Sequence, residues 1–298
     1  MARIAGSWQR VAPARYPLLL VAPAFLVLFL LTVYPFGYML WISLHQWPIL
    51  PTLPRPFVGL ATYAYIFRDP EFWNSMAVTA VYMAGSVSIQ LVLGFFLAVL
   101  LHTPHPAVRL FRLPFMIPVF VAPVVVGLIW KFMYGYDLGI INYLLRSVGF
   151  QGVNWLGSQG TAMVSVIIVD VWQWTPFTML IVSAGLASLA PEPHEAAAID
   201  GASRWQVFRF VTFPMIAPIF TVALLFRVLD AFKQFDIVYI LTRGGPGNAT
   251  NLLAYNIWRK GFFENQLGYA AALSVIMIAI ATLLAMLLIR LMSSQHRD

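Results

Sequence analysis

The feature that most constrains this chain is a series of six long apolar runs separated by short polar segments. A helix needs about 20 mostly apolar residues to cross the hydrocarbon core of a bilayer. A single span in lipid must also satisfy its own backbone hydrogen bonds, which favours helices over isolated strands. We therefore predict an all-α integral membrane protein with one transmembrane domain over residues 1–298. Its six predicted spans are residues 16–44, 74–101, 113–130, 161–189, 213–241 and 267–289.

The composition agrees with a membrane protein and argues against a soluble one. Of the 298 residues, 61% are apolar and only 10% are charged, whereas soluble domains carry about 25% charged residues. The chain has a net charge of +7 and 18 lysines and arginines, of which sixteen lie outside the apolar runs and two, Arg227 and Lys233, lie within the fifth. Nucleic-acid binding needs a clustered basic stripe, so we expect a lipid bilayer and no nucleic acid as partner. The absence of cysteine excludes thiol catalysis and cysteine-ligated metals.

The orientation of the spans can be predicted from the basic residues near their ends. The first apolar run is longer than the 7–15 residues of a secretory signal core, so we expect an uncleaved span. Six spans place both termini on one side of the membrane. With that side in the cytoplasm, nine basic residues lie inside and seven outside, a weak positive-inside bias. The inner set is Arg3, Arg10, Arg15, Arg109, Arg112, Arg204, Arg209, Arg290 and Arg297, and the outer set is Arg55, Arg68, Lys131, Arg146, Arg243, Arg259 and Lys260.

Prolines interrupt the third apolar run at Pro114, Pro118 and Pro123. A proline inside a helix removes a backbone hydrogen bond, and neighbouring helices must then satisfy the freed carbonyl. We therefore predict a kinked third span packed within a bundle, an arrangement that suits a transporter better than a membrane anchor.

The loop between the fourth and fifth runs, residues 191–209, has the pattern of a short helix. Pro193 suits its first turn, and Glu195 lies near the positive end of the helix dipole. Ala196 and Ala197 give it a nearly flat surface, and Gly201 permits a sharp break after it. The residues alone leave two interpretations open: a knob that contacts another protein, or an interfacial helix that lies on lipid.

The spacing of residues in this loop resembles the EAA loop of bacterial ABC importer permeases. That pattern is Glu-Ala-Ala, three residues, Gly, nine residues and then Ile-x-Leu-Pro. Here Glu195, Ala196 and Ala197 are followed by Gly201 and by Val-Thr-Phe-Pro at 211–214, with matching spacing. Other stretches resemble the carbohydrate branch of the family, the maltose- and glycerol-phosphate-type permeases with six spans. They are residues 57–60, 69–73, 174–177, 184–186, 230–239 and 242–246.

The resemblance implies a type I ABC importer permease with a cytoplasmic coupling helix in the bacterial cytoplasmic membrane. It implies that Glu195 and Gly201 contact an ATPase subunit, and that Ala196, Ala197 and Asp200 shape the coupling helix. The implied partners are a second permease, two ATP-binding subunits and an extracytoplasmic solute-binding protein. ATP and magnesium would bind to those ATPase subunits, leaving this chain without a cofactor or metal. The implied substrate is a sugar or a related polyol phosphate, moved by alternating access.

The fifth run contains four charges spaced three residues apart: Arg227, Asp230, Lys233 and Asp236. On a continuous helix each would neighbour the next, so their charges could neutralise one another. A charge inside the membrane costs about 2.5–3.5 kcal/mol on insertion scales, so these side chains must face other helices or water. Both internal pairing and contact with substrate remain open for them.

The fourth run contains a single charge, Asp170, close to Trp172 and Trp174. A lone carboxylate within a span is a functional candidate, although it can equally have a buried partner. Sugars stack on aromatic rings, which makes the two tryptophans, Phe232 and Tyr239 candidates for the substrate pathway. Aromatic belts at the membrane edges explain such residues equally well.

Two other functional classes must be weighed against an ABC permease. An ion-coupled secondary transporter could use Asp170 and the charges of the fifth run without any ATPase. A membrane enzyme could use Asp170 or Asp230 as acid or base. The chain has no Gly-Lys pair of a P-loop, no His-Glu-x-x-His and no Gly-x-Ser-x-Gly. We therefore predict a transport subunit with no catalytic residues.

Overall fold

The computed structural model describes residues 15–48, 53–102 and 106–294. Within these residues the regular structure is helical, apart from an isolated bridge between His45 and Phe57. The all-α fold class is confirmed. Three arginines of the charge count, Arg3, Arg10 and Arg297, lie outside the described residues.

The helices are α1 (Arg15–Leu28), α2 (Tyr34–Ser43), α3 (Ala61–Ile66), α4 (Pro70–Leu100), α5 (Pro106–Phe120), α6 (Pro123–Met133), α7 (Ile140–Ser147), α8 (Gln159–Ala187), α9 (Glu192–Ile199), α10 (Arg204–Val207), α11 (Phe213–Phe232), α12 (Asp236–Leu241), α13 (Leu253–Trp258) and α14 (Leu267–Ser294). π-Helical turns lie at Phe29–Val33, Phe208–Thr212 and Arg259–Phe263.

In the described part of the chain, five helical segments are long and apolar enough to cross a membrane, and a bent pair makes a possible sixth. The pair is Leu113–Phe120 and Pro123–Met133, and the chain bends by 106° between its two helices. The predicted kink of the third span is thus a full break between α5 and α6. Pro123 explains it, because it has no N–H to donate back across the junction. The five other candidates are Val21–Ser43, Pro70–Leu100, Gln159–Ala187, Arg204–Leu241 and Leu267–Met292.

The centre of the bundle is the pair α4 and α8, which pack against each other more extensively than any other two described helices. Gly94 makes this close approach possible: a Cβ atom at this position would lie 2.6 Å from Thr178 Cβ and 3.0 Å from the Met179 nitrogen. Helix α11 packs on both α4 and α8, and α14 packs on α11. Helix α6 packs against α12, so the broken span remains attached to the bundle.

We expect Gly94→Ala to destabilise the bundle. The added methyl group meets Thr178 and the α8 backbone, and overpacking of this kind costs about 1–3 kcal/mol. Gly37→Ala is the matched control, since Gly37 also lies in an apolar helix but a Cβ atom there would have no neighbour within 4 Å. Thermal unfolding of the purified variants in detergent measures the difference. Equal melting temperatures for the two variants would contradict the close packing of α4 and α8.

Candidate functional site

The loop between α8 and α11 forms the predicted short helix. Helix α9 begins after Pro191 and carries two acidic residues, Glu192 and Glu195, in its first turn. It ends before Gly201, whose φ of +72° is a left-handed conformation that favours glycine. Ser203 then caps α10 by accepting a hydrogen bond from the Gln206 backbone nitrogen. The sequence therefore specifies a helix, a sharp break and a second helix start within a few residues.

Helix α9 projects from the bundle with none of its residues buried. The Glu195 side chain is exposed, and its carboxylate takes part in none of the ion pairs found among the described residues. Ile199, at the end of the same helix, is 87% exposed. The surface of this short helix is suited to contact with another protein, because it presents an exposed isoleucine and a carboxylate that takes part in none of these ion pairs.

One side-chain hydrogen bond ties α9 to the start of α11. His194 Nε2 lies 3.1 Å from Thr212 Oγ1. Thr212 is the last residue of the π-helical turn Phe208–Thr212, which continues directly into α11. A cavity of about 420 Å³ lies behind α9 and is lined by residues of α4, α8, the loop and this turn.

A second feature is a cluster of buried polar groups that joins α4, α8 and α11. Asp170 and Arg227 are each 1% exposed and Gln90 is fully buried. Gln90 Nε2 donates to Asp170 Oδ2 at 2.7 Å, and Arg227 Nε donates to Gln90 Oε1 at 2.7 Å. Arg227 Nη2 completes the triangle at 3.3 Å from Asp170 Oδ2. Three spans are thereby crosslinked by charge-assisted hydrogen bonds away from solvent.

The cluster continues from this triangle towards a more exposed edge. Arg227 Nη1 donates to Asp230 Oδ2 at 2.8 Å, and Lys233 Nζ lies 3.7 Å from Asp230 Oδ1. The side chains of Asp230 and Lys233 are 36% and 67% exposed. The guanidinium of Arg227 also lies over the Trp174 ring, 4.8 Å from its centroid. The two carboxylates balance the two cations, so the cluster has no net charge.

The sequence pattern placed Asp236 in the same ladder, but the structure does not extend the ladder that far. Helix α11 ends at Phe232, and Lys233 and Gln234 close it with backbone bonds to residues three positions earlier. Asp236 then starts the separate helix α12 and takes part in none of the ion pairs among the described residues. The expectation of one continuous helix was wrong at this break.

The remaining pathway candidates lie in other environments. Trp172 packs against Trp130, with ring centroids 5.7 Å apart, and lines an apolar cavity of about 660 Å³ between α4, α5, α6 and α8. Phe232 is 3% exposed and belongs to a hydrophobic core cluster. Tyr239 stacks on Phe235 at 5.3 Å and meets the edge of Trp258 at 4.8 Å. Of all the candidates, Asp170, Trp174, Asp230 and Lys233 are the four that the structure brings together.

Two glutamines that the sequence pattern did not single out organise this region. Gln90 links both charged partners of the buried triangle. Gln173 Nε2 donates at 3.1 Å to the carbonyl oxygen of Val121, at the break between α5 and α6. Each glutamine lies inside an apolar run, and this position was the available signal: a buried amide needs hydrogen-bond partners.

Comparison with known proteins places these features in context. Residues 90–295 match the family described as binding-protein-dependent transport system inner membrane component. The chain is 40% identical over 257 residues to the probable ABC transporter permease protein y4oQ of Sinorhizobium fredii, covering 86% of this chain and 83% of that protein. It is 36% identical over 266 residues to the trehalose/maltose transport system permease protein MalF of Thermococcus litoralis, covering 88% of each.

The fold also matches a solved transporter. This is the crystal structure of a bacterial alginate ABC transporter in complex with an alginate pentasaccharide-bound periplasmic protein. The TM-score is 0.78 at 19% identity, and the match covers 92% of this chain and 93% of the other.

Proposed function

Since this chain belongs to the family of binding-protein-dependent transport system inner membrane components, we propose that it forms one half of a sugar-translocating pathway in an ABC importer. It is a multi-pass membrane permease and not an enzyme. Such a permease works with an ATPase and with a solute-binding protein. Four finer assignments complete the proposal: the ATPase contact, the partners, the orientation and the substrate.

The contact with the ATPase is assigned to α9. The observation that carries this assignment is the projecting helix itself, with Glu195 and Ile199 exposed and a glycine-dependent break behind it. A helix that lies on lipid has an apolar face and a separate polar face, whereas α9 has no such segregation. In this proposal Glu195 and Gly201 make and position the contact, while Ala196, Ala197 and Asp200 shape the helix.

The proposed complex contains a second permease, two ATP-binding subunits and an extracytoplasmic solute-binding protein. Large apolar side chains of the first candidate span are exposed, and no residue of its apolar window is buried within the chain. This surface is available to lipid and to a second permease. Placing α9 in the cytoplasm, where ATP is available, puts both termini there too and agrees with the charge bias of the loops. ATP and magnesium belong to the ATPase subunits.

We assign a sugar as substrate because of the chemistry around Trp174. Its ring lies beside a charge-balanced cluster whose exposed edge offers a carboxylate and an ammonium group to hydroxyls. A charge-balanced edge provides no net attraction for a phosphate, which favours an uncharged carbohydrate. The trehalose/maltose permease among the relatives agrees with an uncharged carbohydrate. Trp172, Phe232, Asp236 and Tyr239 stay as weaker candidates, since they lie apart from this edge.

Alternating access then consists of a shift between two arrangements of the bundle. ATP binding moves the ATPase subunits together, α9 follows, and the movement reaches α11 and the helices that the buried cluster joins. The solute passes when the bundle opens towards the other side. No bond in the solute is made or broken on this chain.

The experiment that tests this function is uptake into proteoliposomes that contain the complete complex and the solute-binding protein. We expect maltose or trehalose uptake to require ATP inside the vesicles and to continue when proton and sodium gradients are collapsed. Uptake by the isolated chain, driven by an ion gradient without ATP, would instead establish the secondary-transporter alternative. That alternative already faces one obstacle: Asp170, its main candidate ion carrier, is held by Arg227 and Gln90.

We expect Gly201→Ala to reduce ATP-dependent uptake while the protein still folds. Alanine at a left-handed φ costs about 1–2 kcal/mol. If residue 201 moves away from this φ to relieve the strain, the angle between α9 and the bundle changes. Gly149→Ala is the matched control, because Gly149 has a φ of +88° and, like Gly201, has open space around the position a Cβ would take. The two variants carry similar backbone strain at different places. Equal uptake by both would show that the direction of α9 is unimportant.

A further inference from the structure

From the contacts behind α9 we infer that His194 is the positioning residue that transmits movement of this helix to α11, through its hydrogen bond to Thr212. This inference rests on the proposed function, because it presupposes that α9 contacts the ATPase. It adds a route inside this chain, from the exposed surface of α9 to the buried cluster.

Helix α9 is only weakly attached to its own bundle. None of its residues is buried, and a cavity of about 420 Å³ separates it from the ends of α4 and α8. A helix that stands over a cavity can move without first displacing packed side chains. Its movement therefore reaches the bundle through the chain segments at its two ends and through the few side-chain contacts that cross this space.

The hydrogen bond between His194 and Thr212 joins α9 directly to the residue before α11. His194 directly precedes Glu195 in α9, and its Nε2 lies 3.1 Å from Thr212 Oγ1. Thr212 ends the π-helical turn Phe208–Thr212 and is the residue before α11. Single π-helical turns inside helices often mark functional sites, because their geometry is less favourable than that of an α-helix.

Helix α11 connects Thr212 with the interior of the membrane. It runs from Phe213 to Phe232 as one helix, with Pro218 inside its first half, and carries Arg227, the residue that binds Asp170 and Gln90. Pro218 removes one backbone hydrogen bond of α11, but the remaining hydrogen bonds still join the start of the helix to Arg227, so a displacement at the start is passed along its axis. Thr212, α11 and Arg227 thus form one mechanical unit that ends in the cluster joining three spans.

The test compares His194→Ala, His194→Gln and Thr212→Val in the reconstituted complex, measuring both ATP hydrolysis and maltose uptake. Losing one neutral hydrogen bond corresponds to about 1 kcal/mol, or about a fivefold change. We expect His194→Ala and Thr212→Val each to lower the uptake per ATP hydrolysed about fivefold, with normal binding of the ATPase. His194→Gln should recover most of the uptake, because its amide reaches about as far as the imidazole. The His194→Ala/Thr212→Val double variant should be no worse than either single one.

His102→Ala serves as the control, since His102 lines the same cavity without a bond to Thr212. Unchanged coupling in His194→Ala, or additive losses in the double variant, would overturn the inference and leave the proposed function intact. If the wild-type chain neither binds the ATPase nor supports ATP-dependent uptake, the proposed function itself fails. A lower melting temperature with an unchanged ratio of uptake to hydrolysis would show that the bond is only structural, which also overturns the inference.

Discussion

In the Glu195→Lys variant, we expect the permease to reach the membrane in normal amount but to lose its ATPase subunits during purification. The substitution replaces the exposed carboxylate of α9 with a cation and so reverses the charge offered to the partner. Disrupting a charged contact at an interface costs about 2–5 kcal/mol, so binding should weaken at least about 30-fold. Because no residue of α9 is buried, the fold of the permease itself should not change. ATP-dependent uptake should be lost together with binding.

The matched control is Glu192→Lys, since Glu192 lies in the first turn of the same helix and is also exposed. It applies the same charge change to the same turn of α9, three positions before the proposed contact. Co-purification of tagged permease with the ATPase measures both variants, and Glu195→Gln separates loss of charge from repulsion. If the ATPase co-purifies in normal amount with the Glu195→Lys permease, the assignment of α9 as the coupling helix is wrong.

The second large effect is expected at the centre of the membrane, for Arg227→Met. This change leaves Asp170 buried with Gln90 as its remaining partner in the triangle. Removing one member of a buried ion pair costs about 3–5 kcal/mol, because the other charge is left without compensation. We expect a strong loss of membrane-inserted protein and a much lower melting temperature in detergent. Lys233→Met is the control, since that side chain is 67% exposed and should contribute less than about 1 kcal/mol.

A double variant distinguishes the ion pair from general damage to the core. Asp170→Leu/Arg227→Met removes both charges and places apolar groups of similar size in the site. Buried pairs can often be replaced in this way with little loss of stability, so the double variant should be more stable than Arg227→Met alone. If the double variant shows the sum of the two single losses, Asp170 and Arg227 are not coupled energetically. Uptake should still be impaired, because the crosslink between the spans is gone.

The spans and the coupling loop illustrate what could be predicted from local pattern. A bilayer fixes the length and polarity of each spanning helix, so the apolar runs alone indicated the all-α class. Helix α9 followed from proline, alanine and glycine at suitable positions, and its glycine does adopt the left-handed φ that the break requires. These features depend on neighbours along the chain, which the sequence contains.

The break within the fifth span could not be predicted from local pattern. A repeat of three residues predicted a continuous ladder, yet α11 stops at Phe232 and Asp236 begins another helix. No proline lies between them to signal the break. Helix α12 packs against α6, which comes from another part of the chain. The packing of distant helices therefore decided the local geometry here.

The sequence by itself determined the membrane class, the apolar spans and the short helix that contains Glu195 and ends before Gly201, because lipid and backbone chemistry act on each segment separately. Only the tertiary structure decided that Asp170, alone in its span, is joined to Gln90 and Arg227, which lie 80 and 57 positions away in the chain. Charges in a low-dielectric interior must find partners, but the sequence does not state which partners the packing of the helices brings within reach.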